Sequence, residues 1–253
     1  MSISAENELR VGVLKTGALI PAVAAAQGEY IDMFADLLAH PRLRFFEVDV
    51  AGGAVLPAPE GADAWLITGS KHGVYDPLPW IAPLCEFVRQ TVAARVPLMG
   101  FCFGHQLMAE ALGGRAEKSA AGWQLGAKTY TATTTMPDWA APLADAWRLL
   151  AVHQDQVTAV PPGATVLAQS PGCRVAMLAY GDVDAPDAIS VQPHPEFSPG
   201  MVADLITHRL AAIVPEPVVA AARPTLSDPL ARTAWRTAVH RYLRLATPAP
   251  KDV

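Results

Sequence analysis

The chain has 253 residues, 51% of them hydrophobic and 17% charged, with a formal net charge of −5. That is a globular composition, sufficient for one large α/β domain or two small ones. The acidic balance, with no run of Lys and Arg interleaved with aromatics, excludes an obvious nucleic-acid partner, and no stretch reaches the roughly 18 apolar residues of a membrane span.

Residues 1–10 are polar and lack the apolar stretch of a signal peptide. Val11 to Leu14 reads as a short apolar strand. The apolar run from Ala18 to Ala26 is short and contains Pro21. Tyr30, Met33, Phe34, Leu37 and Leu38 follow helical spacing with one buried face. Leu43 to Val50 and Ala64 to Thr68 are the next strands, and the second runs into Gly69 and Ser70. Trp80 to Ala94 reads as a helix, Pro97 to Gly100 as a strand, and a helix follows through Leu112. This alternation predicts a mostly parallel sheet covered by helices on both faces.

Beyond Arg115 the texture becomes β-rich. Gln124 to Thr133, Trp147 to Val152, Thr165 to Ser170, Arg174 to Tyr180 and Ala188 to Gln192 are strand candidates, some of them antiparallel. Met201 to Ile213 reads as a helix. Val214 to Pro224 reads as a Pro-rich joint, and Trp235, Val239, Tyr242 and Leu243 mark a last amphipathic helix. The expected organisation is a main domain over residues 1–213 and a joint with a packed helix over 214–253.

Cys85, Cys102 and Cys173 are odd in number and irregularly spaced, which fits free thiols in a reducing cytoplasm rather than a disulfide framework. Cys102 lies in Gly100-Phe101-Cys102-Phe103-Gly104, between a predicted strand and a predicted helix. This is the glycine-flanked nucleophile elbow, with Cys in place of Ser. The turn lifts the sulfur clear of the sheet, and the helix N-terminus favours a thiolate. The N–H of Phe103 points where an oxyanion forms. A buried, inert cysteine is the alternative.

A thiolate acyl-transfer site needs an imidazole, and the imidazole needs a partner. In Gln192-Pro193-His194-Pro195-Glu196 the prolines hold the preceding residues extended. Residues two apart in an extended segment face one side, so Glu196 can lie beside His194. The alternative is a stiffened loop with two solvated side chains. His40, His72, His208 and His240 have no evident chemical partner and read as surface or capping residues, and His105 as a packing residue. No Cys/His cluster has metal-ligand spacing.

The string Met99 to Ala109 resembles the nucleophile motif of class I, triad-type glutamine amidotransferases, and Gln192 to Glu196 resembles their His-x-Glu motif. Leu66 to Ser70 with Val74 to Asp76 is similar to their oxyanion loop. Gly122 to Gly126 and Val152 to Val157 are similar to segments of the branch that contains the GMP synthase amidotransferase domain. The similarity spans roughly residues 9–212. It implies a flavodoxin-like α/β fold with a mostly parallel central sheet, a smaller β-rich part and a C-terminal helical extension.

It also implies roles. Cys102 forms a γ-glutamyl thioester, His194 serves as base and then acid, and Glu196 orients it. Phe103, with Ser70 and Gly69, forms the oxyanion hole. Gln106, His153 and Asp155 contact the substrate, although an Asp-closed turn would equally explain the last two. No metal or cofactor is implied. The family loop is commonly Gly-Gly-Pro, where this chain has Thr68-Gly69-Ser70-Lys71. No ATP-pyrophosphatase or acceptor domain accompanies the motifs, so GMP synthesis by this chain alone is excluded. The expected activity is glutamine γ-amide hydrolysis releasing ammonia, which a separate synthetase partner could accept. The alternatives are a stand-alone γ-glutamyl peptide or amide hydrolase and a non-catalytic binding module on the same scaffold.

Overall fold

The computed structural model describes residues 8–245. The first half alternates strand and helix: β1 (Leu9–Lys15), α1 (Pro21–Gln27), α2 (Tyr30–Leu37), β2 (Leu43–Asp49), β3 (Ala64–Ile67), α3 (Ile81–Ala93), β4 (Leu98–Phe101) and α4 (Phe103–Ala111). The β-rich part follows with β5 (Arg115–Lys118), β6 (Gln124–Ala132), β7 (Trp147–His153), β8 (Asp155–Ala159), β9 (Ala164–Ser170), β10 (Cys173–Tyr180) and β11 (Ala188–Val191). Helices α5 (Pro199–His208), α6 (Glu216–Ala222) and α7 (Arg232–Tyr242) complete the described residues.

Nine strands form one sheet in the order β2-β1-β3-β4-β11-β10-β9-β6-β7. The β2-β1-β3-β4-β11 half is parallel and the rest antiparallel. Every residue of β3, β4 and β11 is buried, because a parallel strand covered on both faces must be apolar throughout. The expected α/β fold with a mostly parallel central sheet is the observed one, and the expected smaller β-rich part continues that sheet as its antiparallel half. The short strands β5 and β8 pair separately; their polar sequences do not mark them as a hairpin-like unit.

The prolines explain two differences from the sequence reading. Pro21 opens α1 and Pro217 stands in the first turn of α6, positions whose N–H has no helical acceptor and where proline is tolerated. Residues 216–222 are thus helix rather than joint. Helix α5 begins earlier than expected, where the Ser198 side chain accepts from Met201 N–H at 2.9 Å. It ends at Arg209, whose φ of −148° breaks the helix before a short 3-10 turn over Leu210–Ala212.

The last helix is built into the core. Trp235 is 1% exposed and meets Trp147 edge-on at 5.8 Å, and the Tyr242 hydroxyl bonds to the Leu98 and Asp187 backbones. His240 is buried, with Nε2 3.1 Å from Leu38 O and its ring edge against His40, which corrects its expected surface position. His105 does pack: it is fully buried, bonded to Ser190 Oγ at 2.7 Å and to Val175 O at 3.0 Å. No described helix is long and apolar enough to cross a membrane.

Two outcomes follow from this packing. Truncating Trp235 to Ala leaves a large void and should lower the unfolding free energy by about 3–5 kcal/mol in denaturant titration. Burial pushes the His105 imidazole down to about 4, so between that pH and about 6.5 the unfolded chain binds the extra proton. Stability should fall with falling pH across that window, by roughly 1.4 kcal/mol per pH unit from this group. His105→Gln should remove about one proton from the slope of stability against pH; an unchanged slope would refute the assignment.

Candidate functional site

Strand β4 ends and α4 begins around Cys102, whose φ of 50° and ψ of −98° lie outside the ordinary regions for a residue with a side chain. The surroundings hold it there. Cys102 N–H donates to Val191 O at 2.9 Å, and Gln106 N–H donates to Cys102 O at 3.1 Å. A Cβ at Gly100 would lie 2.4 Å from Met108 Sδ and 2.7 Å from the Gly104 carbonyl, and one at Gly104 would lie 2.5 Å from Ile67 O. No side chain fits either place, so the helix can start directly against the strand ends. The sulfur lies on a cavity of about 360 Å³ at the C-terminal end of the parallel strands, the usual ligand position in such sheets.

His194 reaches the same cavity from the chain after β11. Its N–H donates to Leu150 O at 2.8 Å, a single antiparallel bridge that keeps the segment extended. His194 and Glu196 are 3% and 1% exposed, and Nδ1 lies 2.6 Å from Glu196 Oε1. A carboxylate accepts, so Nδ1 carries the proton and Nε2 is left for Cys102. Burial alone would lower the imidazole, but the charges of Glu196 and Cys102 and hydrogen bonds to both raise it to about 10. The ring stacks on Phe197 at 3.9 Å and 3°. Arg232, on α7, donates to Pro195 O at 3.1 Å and Glu196 O at 3.5 Å, and pairs with Asp36 at 3.0 Å. The C-terminal helix thereby grips the backbone that carries both ionisable groups.

The loop after β3 supplies the opposite wall. Thr16 Oγ1 bonds to Thr68 O at 3.0 Å and Gly69 O at 3.1 Å, and Ser70 Oγ donates to Thr16 O at 2.7 Å. This side-chain lattice fixes the loop where the family sequence has proline. Gly69 lies against the imidazole: a Cβ there would be 3.0 Å from His194 Cε1. Gly69 and Ser70 both line the cavity. Phe103 is the first residue of α4, so its N–H has no partner within the helix.

Gln106, His153 and Asp155 also line the cavity, but their bonds differ from a simple Asp-closed turn. His153 Nδ1 bonds to Asp155 O at 3.1 Å, whereas the Asp155 carboxylate accepts from Tyr75 OH at 2.8 Å. Burial, then the neighbouring His194 charge, pushes His153 down to about 3. Its Nε2 is therefore a bare acceptor, and it is buried without a hydrogen-bond partner among the described residues. Gln106 Nε2 donates to Asp155 O at 2.8 Å and to Gln192 Oε1 at 3.2 Å, and Gln192 Nε2 donates to Cys102 Sγ at 3.6 Å. The sequence reading assigns Gln192 no role, although the period-two spacing that pairs His194 with Glu196 puts it on the same face. Tyr75 lies in the Val74 to Asp76 segment of the loop resemblance, but its bond to Asp155 has no sequence signal, and Arg232 has none at all, since each acts across a long chain separation.

The class-I glutamine amidotransferase family matches residues 59–210, a span that contains Cys102, His194 and Glu196. Gamma-glutamyl peptidase 4 of Arabidopsis thaliana is 29% identical over 193 residues, covering 73% of this chain and 74% of that protein. One chain of the glutamine-hydrolyzing GMP synthase of Halobacterium salinarum is 36% identical over 164 residues, covering 63% of this chain and 81% of that one. Among solved structures, a glutamine amidotransferase from Thermotoga maritima superposes with a TM-score of 0.74 at 18% identity, over 94% of this chain and 99% of that one; at that identity the likeness concerns the fold. With an elbow cysteine facing a buried histidine on this scaffold, the chain belongs to the class-I glutamine amidotransferase family.

Proposed function

We propose that this chain hydrolyses the γ-amide bond of glutamine or a related γ-glutamyl compound through a thioester on Cys102. One observation carries the reading: the buried imidazole of His194, with the Glu196 carboxylate 2.6 Å from Nδ1, lines the same cavity as Cys102 and interacts with it. The Cys102 sulfur attacks the γ-carbonyl carbon. The oxyanion accepts from the N–H groups of Phe103 and Ser70, with Gly69 giving the loop its close approach. His194 passes its Nε2 proton to the departing nitrogen, and the C–N bond breaks. A water then attacks the thioester, giving its proton to His194, and glutamate leaves with the sulfur restored. Glu196 keeps the imidazole oriented and stabilises its charged form throughout.

The substrate-binding assignments follow the bonds already described. Gln106 cannot offer its amide N–H groups to a ligand, because Asp155 O and Gln192 hold them; its Oε1 remains as an acceptor. His153 shapes the cavity wall, with its Nε2 buried beneath the lining. Gln192 acts through Cys102, keeping the sulfur directed into the cavity. A second reading, in which the released ammonia passes to a separate synthetase partner, is favoured by the similarity to one chain of a GMP synthase.

Two measurements test this. Purified protein incubated with glutamine and γ-glutamyl peptides should release ammonia or amine. Cys102→Ala should lower that turnover by on the order of 10⁴-fold or more; turnover that survives the substitution sinks the mechanism. Arg232→Ala should reduce kcat by roughly 10²-fold through misplacement of His194 and Glu196, with a smaller change in KM. A kcat equal to that of the unsubstituted chain would show that the clamp does not position the pair.

A further inference from the structure

Resting on the hydrolytic reading above, the leaving-group side of the cavity carries more information. The imidazole that protonates the departing nitrogen must stand on the leaving-group side of the scissile bond. The cavity differs on the two sides of His194. Towards α4 and β8 its wall is polar, made by Gln106, His153, Asp155 and Tyr75. Beyond His194 it is apolar: Phe197 stacks on the imidazole, and Leu205 and Leu210 are buried in the cluster that also takes in Leu19 and Ile20.

Ammonia needs no apolar wall. A cavity of about 360 Å³ lies in the range that accommodates ligands much larger than glutamine. Ile213, half exposed, stands at this end of the lining; only four large hydrophobic side chains are exposed among the described residues, and both Ile213 and Tyr75 line this one cavity. An apolar side chain left in water at a cavity wall gains by being covered by a ligand.

Of the cations in the lining, Lys71, Lys118 and Arg209, the last sits in the chain between the apolar Leu205 and Leu210. Arg209 is half-buried, at the break between α5 and the following 3-10 turn. Among the described residues its guanidinium makes no hydrogen bond or ion pair, and of the described arginines it is the one that lines the cavity. Tyr30 lines the cavity beside it, with its hydroxyl within the influence of the charges on Glu196, Cys102 and Arg209. A guanidinium held free in an acidic chain matches a carboxylate.

We propose that the compartment beyond His194 receives a large apolar amino acid as leaving group, with Arg209 binding its free carboxylate, so that the favoured substrates are γ-glutamyl dipeptides of the γ-glutamyl-leucine or γ-glutamyl-phenylalanine type. The balance is that of hydrolysis. The γ-amide C–N bond breaks as the thioester forms, the nitrogen takes the His194 proton, and water then releases glutamate. The products are glutamate and the apolar amino acid, with no other reactant.

The test is kcat/KM of the purified chain, measured with glutamine, γ-glutamyl-glycine, γ-glutamyl-phenylalanine and the carboxamide of the last. Phenylalanine at the leaving position should exceed both glycine and glutamine by at least about tenfold. Arg209→Gln should lower γ-glutamyl-phenylalanine at least about tenfold more than glutamine and abolish its advantage over the carboxamide. Ile213→Ser, at an exposed position, should narrow the phenylalanine-to-glycine ratio. Glutamine turned over as well as γ-glutamyl-phenylalanine, or an Arg209→Gln ratio that does not move, overturns the leaving-group assignment and leaves the hydrolytic reading standing. Absence of Cys102-dependent turnover for every compound overturns both.

Discussion

The backbone at Cys102 is the constraint around which the site is arranged. A non-glycine residue at φ 50° and ψ −98° costs about 1–3 kcal/mol, and it persists only where its neighbours over-determine it. Here they do: β4 is paired on both sides, α4 starts at once, and the missing side chains at Gly100 and Gly104 let helix and strand meet without a spacer. Relaxing that turn would drop the sulfur back towards the sheet. It would also move Phe103, the first helical N–H, and Gln106, one turn on, so three contributions to the site hang on one strained residue.

Charge is handled by exclusion as much as by pairing. Three histidines lie within the buried region around α4, and only one is held in its protonated form. His105 and His153 are pushed down by burial, while His194, equally enclosed, is raised because two acidic groups face it. The difference is not depth but partners. A neutral His153 beside a cationic His194 avoids like-charge repulsion. The two prolines around His194 make this possible, since an extended segment puts imidazole and carboxylate on one side at a 2.6 Å contact.

Much of this could be read in the chain before any coordinates. The strand–helix rhythm up to Leu112 follows from apolar spacing, and the parallel strands announce themselves as unbroken apolar runs. The elbow and the proline-bracketed His194 and Glu196 are local patterns, so sequence spacing carries them. What escaped was of two kinds. Proline reads as a breaker, although at the first turn of α1 and α6 it is a helix starter. Contacts between distant segments leave no periodicity: Tyr75 reaches Asp155 across 80 positions, Arg232 reaches Pro195 across 37, and the pairing of β5 with β8 joins two short polar stretches.

The Arg232 clamp also bears on the order in which the molecule is completed. The segment bearing His194 and Glu196 leaves the ribosome before the arginine that grips it, and α7 buries Trp235 and Tyr242 against strands made much earlier. Domains generally fold as units, and α7 shares the core of this one. A chain in which α7 is not docked lacks the Arg232 contacts to Pro195 O and Glu196 O. Docking of the last helix is therefore the step that completes the hold on the backbone of His194 and Glu196.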